Sequence, residues 1–66
     1  MSISYNRLWK TLIDKGMNKT ELRVKAHISS STMAKMTNGE AVTLTTIERI
    51  CDILDCRIED VVEIYK

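Results

Sequence analysis

Four hydroxyl side chains stand in a row at Ser29, Ser30, Ser31 and Thr32, and Lys35 follows three residues later. No acidic residue occurs from Ser29 to Gly39. If this run is a helix, Ser29 caps it and Ser30, Ser31 and Thr32 fill its first turn. Ser30, Ser31 and Lys35 then project from the side away from Met33 and Met36. Small hydroxyl residues at a helix amino terminus let the backbone approach a polyanion closely, and the helix dipole there favours phosphate. A lysine one turn further in can reach O6 and N7 of guanine. The chemistry on offer is hydrogen bonding to nucleic acid rather than bond making. The same residues also fit a plain cap with solvated hydroxyls, because readout by serine and threonine is permissive.

Other reactive side chains form no such group. His27 is the single imidazole, and no Ser-His-Asp or Cys-His arrangement follows from the spacing. The carboxylates of the second half are scattered at helical spacing, as on a solvated face. Two glycines are too few for a glycine-rich phosphate loop. Cys51 and Cys56 form a C-x4-C pair, which is neither a zinc knuckle nor a thioredoxin-type motif. A four-ligand zinc site would need distant carboxylates. Both cysteines read as small apolar residues in or beside a buried helix face. No catalysis, metal or cofactor is expected.

The elements that position Ser30, Ser31 and Lys35 read as helices throughout. The first is expected from about Ser4 to Lys15, with Tyr5, Leu8, Trp9, Leu12 and Ile13 on one face. Gly16 stops it in a left-handed conformation. Asn18 then reads as an N-cap, with Glu21 three residues on as in a capping box. A second helix runs to Ala26 and buries Leu22 and Ala26, and His27-Ile28 makes the turn. The third helix, from Ser30 to about Thr37, puts Met33 and Met36 inward with Ala34 nearby. Asn38-Gly39 ends it, since both residues tolerate positive φ. Thr43 caps a fourth helix over 44–54, with Leu44, Ile47, Ile50, Cys51 and Leu54 inward. A last helix, about 58–65, offers Ile58, Val61, Val62 and Tyr65, although Arg57 is a poor cap for it. Strand signals are absent. Five short helices must therefore wrap one small core, with Trp9 as its largest piece.

Sixty-six residues bound the chain to one domain, 1–66. A composition of 44% hydrophobic and 29% charged residues excludes a disordered chain. A domain this short buries only about 60% of its unfolded surface, so oligomerisation is a common aid. No apolar run approaches the roughly 20 residues of a membrane span, and MSISYNRLWK lacks a signal-peptide pattern. A cytoplasmic location without a membrane partner is expected. Net charge is +1, but its distribution is uneven. Residues 1–39 carry seven Lys and Arg against Asp14 and Glu21, a net +5. Residues 40–66 carry Arg49, Arg57 and Lys66 against seven carboxylates, a net −4. A basic half and an acidic half suit one face toward a polyanion and one turned away.

Gly16 to Gly39 reads G-M-N-K-T-E-L-R-V-K-A-H-I-S-S-S-T-M-A-K-M-T-N-G. In that register, without a gap, it resembles the lambda-repressor and Cro type of helix-turn-helix domain, the XRE family. The likeness continues through T-L-T-T-I-E-R-I-C-D-I-L-D-C-R-I-E-D-V-V and covers about residues 5–64. It implies an all-α, five-helix, lambda-repressor-like domain whose second and third helices form the helix-turn-helix, about 18–37. It is most similar to the small stand-alone members.

The resemblance implies sequence-specific binding of double-stranded DNA by a transcriptional regulator, a repressor. Helix 30–37 would read the major groove, and a homodimer would sit on a pseudo-palindromic operator. Ser30, Ser31 and Lys35 occupy the family's base-reading positions, with Thr32 close by. Asn18, Lys19 and Asn38 occupy its phosphate-contacting positions. Lys19 stands where glutamine is usual, and Arg23 where a small alanine packs between the helices. His27 stands where the turn has glycine, so a turn of the same shape requires positive φ at His27, a strain on the order of 1 kcal/mol. Asp55 likewise stands where glycine often ends the fourth helix, and Glu40 where a basic residue is common. A second reading keeps the fold and gives it a protein partner, as in an antitoxin or anti-repressor. The apolar residues Ile64 and Tyr65 suit either a dimer surface or core closure, while Val61 and Val62 suit the core.

Overall fold

A computed structural model describes residues 2–65. The chain runs β1 (Ser2–Ser4), α1 (Asn6–Asp14), α2 (Lys19–Lys25), α3 (Ser30–Thr37), α4 (Leu44–Leu54), a 3-10 turn (Ile58–Asp60) and β2 (Glu63–Tyr65). Among the described residues, four α-helices replace the expected five. The stretch expected as a last helix is a single 3-10 turn and a strand. β2 pairs antiparallel with β1, with Ser2 opposite Tyr65, Ile3 opposite Ile64 and Ser4 opposite Glu63. The reason is local and non-local together. Val61, Val62, Ile64 and Tyr65 are β-branched or aromatic and favour extended backbone. The partner that completes their ladder lies at the other end of the chain. Because Ser4 belongs to β1, α1 starts two residues later than expected, after Tyr5.

All four helices end in the same way. The residue after the last turn takes a left-handed conformation: Gly16 at φ 66°, His27 at 55°, Gly39 at 74° and Asp55 at 51°. The amide that follows then bonds back five residues. Met17 donates to the Leu12 carbonyl, Ile28 to Arg23, Glu40 to Lys35 and Cys56 to Cys51, at 2.8–3.1 Å. This Schellman-type ending satisfies carbonyls that would otherwise be orphaned, and it turns the chain sharply. It is what allows four helices to pack within so few residues.

The core is centred on Leu8, Leu22, Met36, Ile50, Leu54 and Val61, all essentially inaccessible to solvent. Leu8 and Leu12 of α1, Leu22 of α2, Met33 and Met36 of α3, and Ile47, Ile50 and Leu54 of α4 all face it. Several expected core residues do not. Ile13 is 76% exposed, Leu44 74% and Ile58 46%. Trp9 is half-buried and packs against the edge of the core. A helix of nine residues offers a narrow inward stripe, and Leu8 and Leu12 fill it.

Long-range polar ties fix α1 to distant parts of the chain. The Tyr5 hydroxyl donates to the Glu40 carbonyl at 2.7 Å, fixing α1 to the loop after α3. Burial of Tyr5 pushes its phenol above the usual tyrosine value. Arg7 donates to the Glu63 carboxylate at 3.1 Å, joining α1 to β2. That bond holds the Glu63 carboxyl below its ordinary range.

Candidate nucleic-acid interface

Ser29 caps α3 as its sequence position requires. Its backbone is extended, and its hydroxyl oxygen accepts the Thr32 amide at 3.1 Å. The same hydroxyl donates to the Thr32 hydroxyl at 2.9 Å, and the Ser31 hydroxyl lies 3.1 Å away. Three of the four hydroxyls in the row are thus knitted into one small cluster. Ser30 stands outside that cluster and is exposed. Met33 and Met36 are buried, so Ser30, Ser31 and Lys35 do lie on the outward face. Thr32 is half-buried.

Ala34 and Thr37 are also exposed. Ala34 was expected near the inner methionines, but it stands between Ser30 and Lys35 on the outer side. A small apolar side chain there is suited to contact with a thymine methyl. Its type gave no hint of this. The signal was its spacing, four residues from Ser30.

Lys35 and Thr32 share a cleft of about 260 Å³ with Ala41, Val42, Thr43 and Thr46. This cleft lies between α3 and the start of α4. Thr43 caps α4, its hydroxyl accepting the Thr46 amide at 3.4 Å. The outward face of α3 is therefore continued by further hydroxyl residues, which sequence reasoning read only as a cap.

Asn18 and Lys19 lie in a second cleft, with Trp9, Leu12, Ile13 and Met17. Asn18 forms both halves of the expected capping box. Its side-chain oxygen accepts the Glu21 amide at 2.8 Å, and its own amide donates to the Glu21 carboxylate at 3.4 Å. Lys19 is exposed, and its ammonium sits over the Trp9 ring, 4.1 Å from the centroid. Asn38 is exposed at the end of α3 with φ −86°, so Gly39 alone takes the left-handed turn there. The two clefts are separate. Asn18 and Lys19 line one, Thr32 and Lys35 line the other, and no residue is common to both.

His27 adopts the positive φ that an unchanged turn demands. Ala26 and Ile28 on either side are buried, while His27 itself is exposed. The turn between α2 and α3 thus keeps its shape without glycine. Arg23 is half-buried, and its carbonyl accepts the Ile28 amide at 2.9 Å. Cys51 and Cys56 are free and half-buried against the core. Among the described residues, no group of three or more His, Cys, Asp or Glu side chains is placed to hold a metal ion. No helix among them is long and apolar enough to cross a membrane.

The fold agrees with the comparisons. The crystal structure of the transcriptional regulator VanUg superposes on this chain with a TM-score of 0.92 and 47% sequence identity. The match covers 94% of this chain and 83% of that one. No curated protein matches the sequence. Residues 7–66 match the Cro/C1-type helix-turn-helix DNA-binding domain, and with that match over most of its length the chain belongs to this family.

Proposed function

We propose that the chain is a sequence-specific transcriptional regulator, acting as a repressor, that reads the major groove of double-stranded DNA with α3. The observation that carries this reading is the outward face of α3. It is free of acid, built of Ser30, Ser31, Ala34 and Lys35, and backed by the buried methionines. Lys35 and Ser30 contact base edges, with Ser31 and Thr32 beside them. For Ser31 and Thr32, that contact exchanges hydrogen bonds within the cap cluster for bonds to DNA. Asn18, Lys19 and Asn38 grip phosphates. The cap uses the Asn18 amide oxygen, which leaves its NH2 group to donate. Phosphate contacts set register and affinity, and α3 sets sequence.

One such helix covers only a few base pairs. Residues 1–66 therefore act as one DNA-binding unit of a homodimer on a pseudo-palindromic operator, with half-sites about 34–36 Å apart. Ile64 and Tyr65, 62% and 48% exposed, suit the contact between copies. The same two residues favour the second reading, in which the occupant is a different protein, as for an antitoxin or anti-repressor.

Selection from a random duplex library, followed by mobility shifts across a salt series, tests the proposal. Affinity should fall steeply with salt. Lys35→Ala should relax base preference at a cost of about 1–3 kcal/mol, while Asn38→Ala should weaken all sequences alike. No retardation at low salt and micromolar protein would falsify the DNA reading. A stoichiometric protein partner that survives nuclease treatment would then favour the second.

A further inference from the structure

α1 has no base-reading or phosphate-gripping residue in the scheme above, yet it lines a cleft with two of the residues proposed to grip phosphate. Trp9, the single tryptophan, lines the same cleft as Asn18 and Lys19. Its ring face carries the Lys19 ammonium at 4.1 Å. The ring is itself held. Tyr5, one turn earlier, packs against it with centroids 6.5 Å apart and planes tilted by 51°. Tyr5 in turn is buried and bonded to the Glu40 carbonyl just beyond α3. A continuous set of contacts thus runs from the end of the reading helix, through α1, to Lys19.

A lysine on an open surface loses rotamer freedom when it pairs with a phosphate, and that loss weakens the contact. A cation over an indole face is attracted by the ring quadrupole, more strongly than over tyrosine or phenylalanine. The ammonium has three donors, and a ring on one side does not occupy them all. We propose that Trp9 is a positioning residue for DNA binding. Its ring holds the Lys19 ammonium at the mouth of the α1–α2 cleft, so that the lysine meets a phosphate with its rotamers already restricted. This inference rests on the DNA-binding reading of the chain.

The test is a double-mutant cycle of Trp9→Leu and Lys19→Gln. Binding is read by fluorescence anisotropy with a labelled, mixed-sequence duplex of about 30 base pairs, long enough for two half-sites. Trp9→Leu in the wild-type background should weaken binding by about two- to fivefold, the scale of an exposed cation–π contact. In the Lys19→Gln background the same change should leave affinity within about 1.5-fold, because two residues acting as one unit are not additive. The salt slope adds a readout that lost packing would not give. Lys19→Gln should reduce the slope by about one, while Trp9→Leu should leave it unchanged. Trp9→Phe should fall between wild type and Trp9→Leu.

Circular dichroism melts establish that each variant is folded. If Trp9→Leu does not fold, the Trp9→Phe and Trp9→Tyr cycles carry the same test. Emission of the wild-type tryptophan should shift on Lys19→Gln, without DNA present. Equal losses in both backgrounds, tighter binding on Trp9→Leu, or unchanged emission on Lys19→Gln would each overturn the inference. Wild-type protein that fails to bind the duplex at low salt overturns the DNA reading and this inference with it. Binding with an additive cycle overturns this inference alone.

Discussion

His27 and Asp55 each do with a side chain what Gly16 and Gly39 do without one. Their φ values of 55° and 51° lie in the left-handed region, which costs a residue with a Cβ about 1 kcal/mol or more. Both side chains are exposed, so little packing offsets that cost in the folded state. His27→Gly and Asp55→Gly should each raise stability by about 0.5–1 kcal/mol, the strain relieved less the extra freedom glycine gains on unfolding. The reverse change should act in the reverse direction. At Gly16 an added Cβ meets no atom within 4 Å, so Gly16→Ala probes the backbone alone. It should lower stability by about 1 kcal/mol. Urea denaturation with unchanged slope measures all three. If His27→Gly proves destabilising, the imidazole serves more than the turn. The positive φ at His27 was legible in advance because its place in the Gly16–Gly39 register demands it. The exposure of Ala34 was not legible from its residue type, because alanine is at home on either side of a helix; only its spacing from Ser30 carried it.

At the scale of elements, legibility follows how local each element's causes are. The caps at Asn18, Ser29 and Thr43 are decided within four residues, and all three form as their sequence positions require. β1 and β2 are three residues each and exist only as a pair across almost the whole chain. No local pattern could announce them, and Val61 to Tyr65 alone can be read as a helix face. Trp9 fails for a related reason. Periodicity identifies the apolar side of α1, but it does not say that Leu8 and Leu12 fill the space and leave the indole at the rim, beneath Lys19.

The ending of α4 carries a pH dependence of its own. Cys51 and Cys56 are joined by the Cys56 amide bonding to the Cys51 carbonyl at 3.1 Å, and both thiols are half-buried. Burial, followed by the neighbouring Cys51 and assisted by Asp60, pushes the Cys56 thiol from 9.0 up to about 11. Below pH 9.0 the thiol is protonated whether the chain is folded or not, and its contribution is fully present. Between 9.0 and about 11 the unfolded chain releases this proton while the folded one retains it. Stability must therefore fall as pH rises through that window. Cys56→Ala should flatten the fall of the urea midpoint between pH 9.0 and 11, leaving a smaller limb from Cys51 and Tyr5, whose values are also raised. Parallel curves for variant and wild type would contradict this account.

For the whole molecule, charge is divided unevenly between the two halves. The basic half, a net +5 over residues 1–39, contains both candidate DNA-facing clefts' lysines, Lys19 and Lys35. The acidic half supplies α4 and β2, and β2 presents Ile64 and Tyr65 outward. Val61, fully buried, already closes the core at that end, so neither of the two exposed residues is needed for it. β2 also belongs to a two-stranded sheet, whose outer edges carry backbone groups free to pair. The homodimer proposed above would use this edge together with Ile64 and Tyr65. Ile64→Lys and Tyr65→Lys should therefore leave the helical circular dichroism and the affinity for a single half-site unchanged. Sedimentation should show a loss of dimer. Affinity for an operator with both half-sites should drop by about 10²-fold, because linked binding converts the second contact into an intramolecular one. A dimer of unchanged strength in these variants would place the contact between copies elsewhere on the molecule.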